Sequence, residues 1–272
     1  MDKNINKQKR PGIKTISIHH GNSFSRETGC VMPPIFATST FKYGNESNFD
    51  YTRSGNPNFQ ILEDLLKSIE NAKYSTVFGS GISAVTAIIS SLKKGDTILA
   101  ESNLYGCTVR MFEQIFNKFG IKTIYYDFTQ RENIQRISTL DPSIIWLESP
   151  TNPLLKVINI QEICNKAQEN GIPVVVDNTF CTSLIQKPLE LGATISLIST
   201  TKFINGHSDV LGGATITNDE YWNEKMIFAQ KSLGLNPSPF DSWLITRGIK
   251  TLPLRIAEQS KNAEIIACEL QN

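Results

Sequence analysis

The 272-residue sequence predicts an α/β fold built on a mostly parallel sheet with helices on both faces. Three observations predict it. Short apolar runs alternate with helix-patterned stretches from about residue 74 onward. The runs are continuous and rich in β-branched residues, as expected of strands covered on both faces. Small, aromatic or acidic residues follow one run after another, at the strand ends where ligands collect in such sheets.

Taken in order, the expected strands are Ser75–Phe78, Thr97–Ala100, Thr123–Tyr126, Ile144–Leu147, Val174–Val176 and the run Thr194–Ile198. Helices are expected over 84–92, through Met111 to Phe119, near 131–138 and over 160–168. Strand–helix–strand units at this rhythm imply right-handed crossovers between parallel strands. The sheet is expected to be complete through Ala214-Thr215-Ile216.

Before the first strand the chain reads differently. Residues 1–12 are polar, and from Ile13 to Tyr51 no strong helical period appears. With Pro33-Pro34 and several Gly and Asn residues, residues 1–55 read as an extended arm. An arm of that length is expected to lie along another surface, such as a neighbouring subunit. At its end, Asn56 and Pro57 suit an N-cap and a first helical residue. The helix that follows puts Leu62, Leu65, Leu66 and Ile69 on one face. An α/β domain over 56–250 and the start of a second domain over 251–272 complete the division.

Composition excludes several function classes. Hydrophobic residues make up 40% and charged residues 19%, with a net charge of +1, which fits a globular protein and argues against nucleic-acid or anionic-membrane binding. No apolar run approaches the ~20 residues needed to span a bilayer. Met1 to Arg10 carry charge without a following apolar segment, so they do not read as a signal peptide. The five cysteines are odd in number, lack a CxxC and have no metal-type spacing with the three histidines. Reduced thiols in a cytoplasmic protein, with no metal, are expected.

The strand ends carry the chemistry. Gly79-Ser80-Gly81 lies where a strand passes into a helix, as either a tight turn or an anion site at a helix N-terminus. It lacks the Gly-Lys-Ser/Thr of a P-loop. Tyr105 follows a strand and could lie flat on an aromatic ligand. Glu148 and Asp177 each end a strand. A carboxylate closing an all-valine strand needs a cation or donor, and a protonated pyridine nitrogen is one. In Ser199-Thr200-Thr201-Lys202-Phe203-Ile204-Asn205-Gly206-His207-Ser208-Asp209, hydroxyls precede a lysine and a glycine follows it. A lysine amine beside a phosphate site and out of bulk water suits a Schiff base with an aldehyde. That combination describes pyridoxal phosphate chemistry.

These residues belong to colinear stretches: YTRSGNPN (51–58), GSGISA (79–84), NLYGCT (103–108), WLESPTNP (146–153), VVVDNTF (174–180), STTKFINGHSD (199–209) and TRGIKTLPLR (246–255). Together they resemble the Cys/Met metabolism family of pyridoxal phosphate enzymes, the group of cystathionine γ-synthase, cystathionine γ-lyase, cystathionine β-lyase and methionine γ-lyase. The resemblance implies the aspartate aminotransferase-like fold type I, with a small C-terminal domain largely missing here and the substrate-carboxylate arginine in that part. It also implies roles. Lys202 would hold the cofactor and move protons, Asp177 would pair with the pyridine nitrogen and Tyr105 would stack on the ring. Gly81, Ile82, Ser199 and Thr201 would bind the phosphate, with Tyr51 and Arg53 reaching in from a neighbouring subunit of a dimer or tetramer. Asn152 would lie near the ring oxygen and the substrate carboxylate.

Departures from the family pattern are Ile198 for its usual His, Phe203 for Tyr, Thr194 for Asp and Ile82 for Met. Arg110 matches an arginine of the cystathionine γ-type enzymes that faces the distal end of the substrate, whereas Cys107 resembles methionine γ-lyases. The expected activity is γ-elimination or γ-replacement on a sulfur amino acid. The alternatives are a methionine γ-lyase or O-acylhomoserine sulfhydrylase, and a truncated non-catalytic family member. Residues 239–272 read as a Pro253-interrupted helix, with Leu252, Leu254, Ile256, Ile265, Ile266 and Leu270 forming an exposed apolar stripe.

Overall fold

The computed structural model describes residues 10–21 and 29–271. Residues 1–9, the start of the expected arm, lie outside the described residues. The described chain forms a seven-stranded sheet whose spatial order is β1-β7-β6-β5-β4-β2-β3. The strands are β1 (Tyr74–Phe78), β2 (Thr97–Glu101), β3 (Lys122–Tyr126), β4 (Ile144–Glu148), β5 (Val174–Asp177), β6 (Ile195–Ile198) and β7 (Gly213–Thr217). β7 runs antiparallel to both β1 and β6, and the other pairs are parallel. Six strands therefore end at one edge, and β7 begins there.

Side-chain alternation assigns the two faces. On one face Phe78, Trp146, Val175, Ile195 and Leu197 pack with helix α3 (Gly81–Ile89) and helix α9 (Glu220–Ser232). On the other, Val77, Ile198, Ala214 and Ile216 pack beneath helix α2 (Pro57–Glu70) and helix α10 (Pro239–Ile249). Ile145, Leu147, Val174 and Val176 pack on helix α7 (Ile160–Gln168). The valine and isoleucine runs are buried on both faces because helices cover both.

Helix α2 begins as its sequence dictates: Asn56 accepts a hydrogen bond from the Asn58 amide and Pro57 is the first helical residue. The region expected to be extended is not extended throughout, since Ile13–His19 form a helix, α1. Ile13 and Ile16 pack against the α2–α10 core and the Ser17 hydroxyl donates to the Ile13 carbonyl at 2.8 Å. Tertiary packing supplies what too short an apolar period could not. Further on, residues 33–36 lie along their own chain: Trp243 donates to the Pro33 carbonyl, and Asn58 and Asn56 donate to those of Pro34 and Phe36.

Past β2 the chain makes helix α4 (Gly106–Arg110), which continues through a π-helical segment, Met111–Ile115. Short helices α5 (Arg131–Gln135), α6 (Ile137–Leu140) and α8 (Thr182–Ile185) follow. After α10 the chain turns at Lys250-Thr251 and helix α11 runs from Leu252 to Leu270. Pro253 sits in its first turn, where the missing N–H costs no intrahelical bond. The expected apolar stripe is therefore split. Leu252 and Ile256 are buried in the α2–α10 core, whereas Leu254, Ile265, Ile266 and Leu270 are exposed.

Candidate active site

The strand-end edge gathers most of the residues singled out from sequence. Phe78 pairs with Gly213 in register, and Ile198 with Ala214. This brings the turn after β1 and the turn after β6 together across the Gly212-Gly213 entry to β7. A Cβ on Gly81 would lie 2.8 Å from Ser199 Cβ and 3.0 Å from its Oγ, and one on Gly213 would lie 2.3 Å from the Ser80 carbonyl. Only glycine permits that approach.

Helix α3 starts in this cradle. Ser80 is its N-cap, accepting from the Ser83 amide at 3.0 Å, and the Ala84 amide donates to the Ser80 carbonyl. The amides of Gly81 and Ile82 are the first two of the helix, so helical geometry gives them no intrahelical acceptor. With the helix dipole behind them they form an anion-binding end, and Ser199 Oγ lies beside Gly81. Thr201 is placed differently from expectation. Its hydroxyl donates to the Gly212 carbonyl at 3.1 Å and accepts from the Gly212 amide at 2.9 Å, which ties the lysine turn to β7.

Asp177 closes β5 directly opposite Glu148 at the end of β4. Both are buried and lie on the α3 face by strand alternation. Asp177 Oδ1 accepts from the Thr179 amide at 3.0 Å, and Glu148 Oε2 accepts from the Tyr105 amide at 2.8 Å. Burial pushes both carboxyl groups above the usual carboxylate range, and the neighbouring Asp177 adds to the rise at Glu148. Thr179 extends the connection, because its Oγ1 accepts from the Ser199 amide at 2.8 Å. Tyr105, Glu148, Asp177, Thr179, Ser199 and Gly81 thus form one continuous set of contacts along the edge.

Tyr105 is 41% exposed at the start of α4. Contact with the Cys107 thiol, then partial burial, raises its phenol above the usual value. Arg110, one turn on, is exposed and donates through Nη1 to Cys107 Sγ at 3.6 Å. Asn152 is exposed in the loop after β4, between two cis prolyl peptides. That loop is tied to the Tyr105 loop where the Leu154 amide donates to Asn103 Oδ1.

Lys202 lies in a tight turn after β6, where the Asn205 amide donates to the Thr200 carbonyl and the Gly206 amide to that of Lys202. Its side chain is exposed in the single chain, unlike the desolvated amine expected from sequence. Arg255 grips the backbone of this turn at the Phe203 and Ile204 carbonyls. Arg53 and Tyr51 are not brought to this edge by a direct contact. Arg53 stacks 5.4 Å over the Tyr51 ring and donates to the Lys231 carbonyl near the end of α9, at 2.7 Å.

The edge fits a phosphorylated pyridine aldehyde. It offers a glycine cradle at a helix N-terminus for a dianion, a buried acceptor carboxylate for a ring N–H, and a lysine whose amide donates to the Ser199 carbonyl. Residues that sequence reasoning did not place in the site are Thr179, Glu148 as Asp177's partner, and Arg255, whose guanidinium reaches the lysine turn. For Arg255 the signal was its place in the TRGIKTLPLR stretch.

Known proteins resemble this chain over most of its length. A "Probable cystathionine gamma-synthase" of Herpetosiphon aurantiacus is 40% identical over 259 residues, 94% of this chain and 81% of the relative. A "Cystathionine gamma-lyase" of Dictyostelium discoideum is 40% identical over 255 residues, 92% of this chain and 66% of the relative. The crystal structure of cystathionine gamma synthase from Xanthomonas oryzae pv. oryzae in complex with cystathionine superposes with a TM-score of 0.93 at 34% identity, covering 97% of this chain and 69% of that one. The sheet edge, its glycine cradle and its lysine turn all lie within residues 14–272, which match the family model for Cys/Met metabolism PLP-dependent enzymes, and the chain belongs to that family.

Proposed function

We propose that this chain catalyses γ-elimination or γ-replacement on a sulfur amino acid of the cystathionine type. The observation that carries the reading is the convergence at one sheet edge of the Gly81–Ser199 cradle, the buried Asp177–Glu148 pair and the Lys202 turn. Pyridoxal phosphate supplies an electron sink for carbanions next to an amino group.

The residues divide the work as follows. The Gly81 and Ile82 amides and Ser199 would hold the phosphate, with the α3 dipole favouring its charge. Asp177 would favour a proton on the pyridine nitrogen, as a buried carboxylate is stabilised by gaining a cationic partner. Glu148 fixes the Tyr105 amide, which sets the loop carrying the Tyr105 ring over the site. The Lys202 amine would hold the cofactor and would move protons between substrate carbons. Asn152 orients the substrate carboxylate. Arg110, exposed beside Tyr105, pairs with a carboxylate at the far end of a long substrate.

A second copy of the chain completes the site. Tyr51 and Arg53 of one subunit would reach the phosphate held by its neighbour, and that assembly would bury Lys202, which is exposed in the single chain. We place the enzyme in the cytoplasm, because five widely spaced cysteines without a CxxC suit a reducing compartment.

Cys107 supports a second reading, a methionine γ-lyase, because its thiol contacts the Tyr105 hydroxyl. Product analysis on cystathionine, methionine and O-acylhomoserine separates the two. Turnover of cystathionine, or its formation from an O-acylhomoserine and cysteine, supports the first. Preferential release of methanethiol from methionine overturns it.

A further inference from the structure

Arg255 is on α11, 53 positions beyond Lys202, yet its guanidinium is anchored on both sides of the lysine turn's support. Nη1 donates to the Phe203 carbonyl at 2.7 Å and Nη2 to the Ile204 carbonyl at 3.1 Å. Nη2 also donates to the Gly248 carbonyl at the end of α10, and Nε to Thr251 Oγ1, each at 3.0 Å. Four donor contacts from one rigid, planar group tie three segments together.

The turn is shaped around that group. Gly206 has φ +75°, and a Cβ there would lie 2.0 Å from Arg255 Nη1 and 2.4 Å from Cζ. Gly248 is equally confined, since its Cβ would lie 2.5 Å from the Asn205 carbonyl oxygen. Arg255 is partly buried and no acidic side chain pairs with it among the described residues, so three backbone carbonyls and the Thr251 hydroxyl balance its charge. Carbonyls satisfied this way cannot rotate without losing a charge-assisted bond.

We propose that Arg255 is a positioning residue for Lys202: it holds the carbonyls of the two residues that follow the lysine and so fixes the direction in which the amine leaves the turn. The inference rests on Lys202 being the cofactor lysine. It has a mechanical corollary. Because Arg255 sits near the start of α11, whose far half is exposed, displacement of that helix reaches the lysine through the Phe203 and Ile204 carbonyls.

The test compares wild type, Arg255→Lys and Arg255→Ala as full chains in two measurements. The first is amide hydrogen exchange over 199–206 in cofactor-free protein. The second is the rate of borohydride-fixed pyridoxal phosphate labelling at Lys202, located by peptide mapping. We expect both variants to exchange faster across this turn and to label Lys202 roughly ten- to a hundredfold more slowly. Free guanidinium ion should restore part of the rate in Arg255→Ala, whereas lysine lacks the planar fork and should not substitute. Wild type labelled at another lysine defeats the cofactor assignment itself. Wild type labelled at Lys202, with Arg255→Lys equal to it in labelling and exchange, overturns the positioning role. A lowered melting temperature with both readouts unchanged also overturns it. If Arg255→Ala does not fold, Gly206→Ala, which crowds the same guanidinium, replaces it with the same expected outcomes.

Discussion

Glu148 and Asp177 face each other in register at the ends of two neighbouring parallel strands, both buried, with Tyr105 bonded through its amide to the first. Two carboxyl groups so placed disfavour being ionised together, because burial and mutual repulsion act in the same direction. One proton shared between them, or one cation supplied to Asp177, relieves the pair. The site therefore has a stored preference for a cationic partner at Asp177.

Replacing Asp177 by Asn removes that preference while keeping the volume. We expect proton removal from the substrate to slow by ~10²–10⁴, as for a positioned acid–base group, with cofactor still bound. Stopped-flow absorbance of substrate mixing checks this. Near-normal elimination by the Asn variant would assign Asp177 a structural role.

Gly81→Ala places a methyl against Ser199 Cβ, within 2.8 Å. Overpacking of this kind costs on the order of 1–3 kcal/mol, here expected mainly as lost phosphate contact. Cofactor affinity should fall about tenfold or more, read by titrating the visible absorption. Affinity equal to wild type would show that the phosphate binds elsewhere.

Arg110→Met should raise KM for cystathionine by roughly tenfold or more, the loss expected of a charge-assisted pair, while leaving methionine turnover within about twofold of wild type. Parallel steady-state assays on the two substrates measure the ratio. An unchanged ratio would return Arg110 to the solvated helix surface.

Arg53→Ala and Lys202→Ala should each be inactive alone, yet their mixture should regain activity. Mixed assemblies contain one site with both an intact lysine and an intact neighbouring arginine. Refolding the two together and assaying against the separate proteins tests it. Absence of recovery, with mixed oligomers confirmed by mass, would place Arg53 in its own subunit's structure only.

Glu70 predicts a pH dependence of stability. It is fully buried at the end of α2, and burial pushes its carboxyl up to about 7 against countering contacts from Ser183 and Lys187. A raised folded-state pKa means the native state holds the proton more tightly than the unfolded chain. Stability from this group is complete below the unfolded carboxylate range and is lost as pH rises towards and through 7. Glu70→Gln should flatten that fall, gaining on the order of 1–3 kcal/mol at pH 8 relative to pH 5. Denaturant melts at the two pH values check the sign, and a parallel shift of both curves would contradict it.

Much of this protein was legible in its residues. Continuous Val and Ile runs can be satisfied only by burial on two faces, so the sheet and its helices followed from composition and spacing. Asn56-Pro57 marked the start of α2 because capping is a local hydrogen bond between near neighbours. The ordering of Gly81, Asp177 and Lys202 at strand ends was visible for the same reason, since each lies within a few residues of the strand that carries it. Local periodicity failed at Ile13–His19, where seven residues are helical because Ile13 and Ile16 reach an apolar surface made elsewhere.

What the linear order could not contain is which strand ends meet. β7 enters the sheet against the chain direction of its neighbours, and that alone sets Gly213 beside Phe78 and brings Gly81 onto Ser199. Pairing across a sheet is decided by the closing of long loops and the burial of whole faces, terms no short window holds. The same is true of Arg255, 53 positions from the lysine whose turn it grips. Sequence determined the chemical groups available and the strand ends that carry them; tertiary structure decided their partners, because hydrogen-bond direction and backbone approach exist only once distant segments are packed.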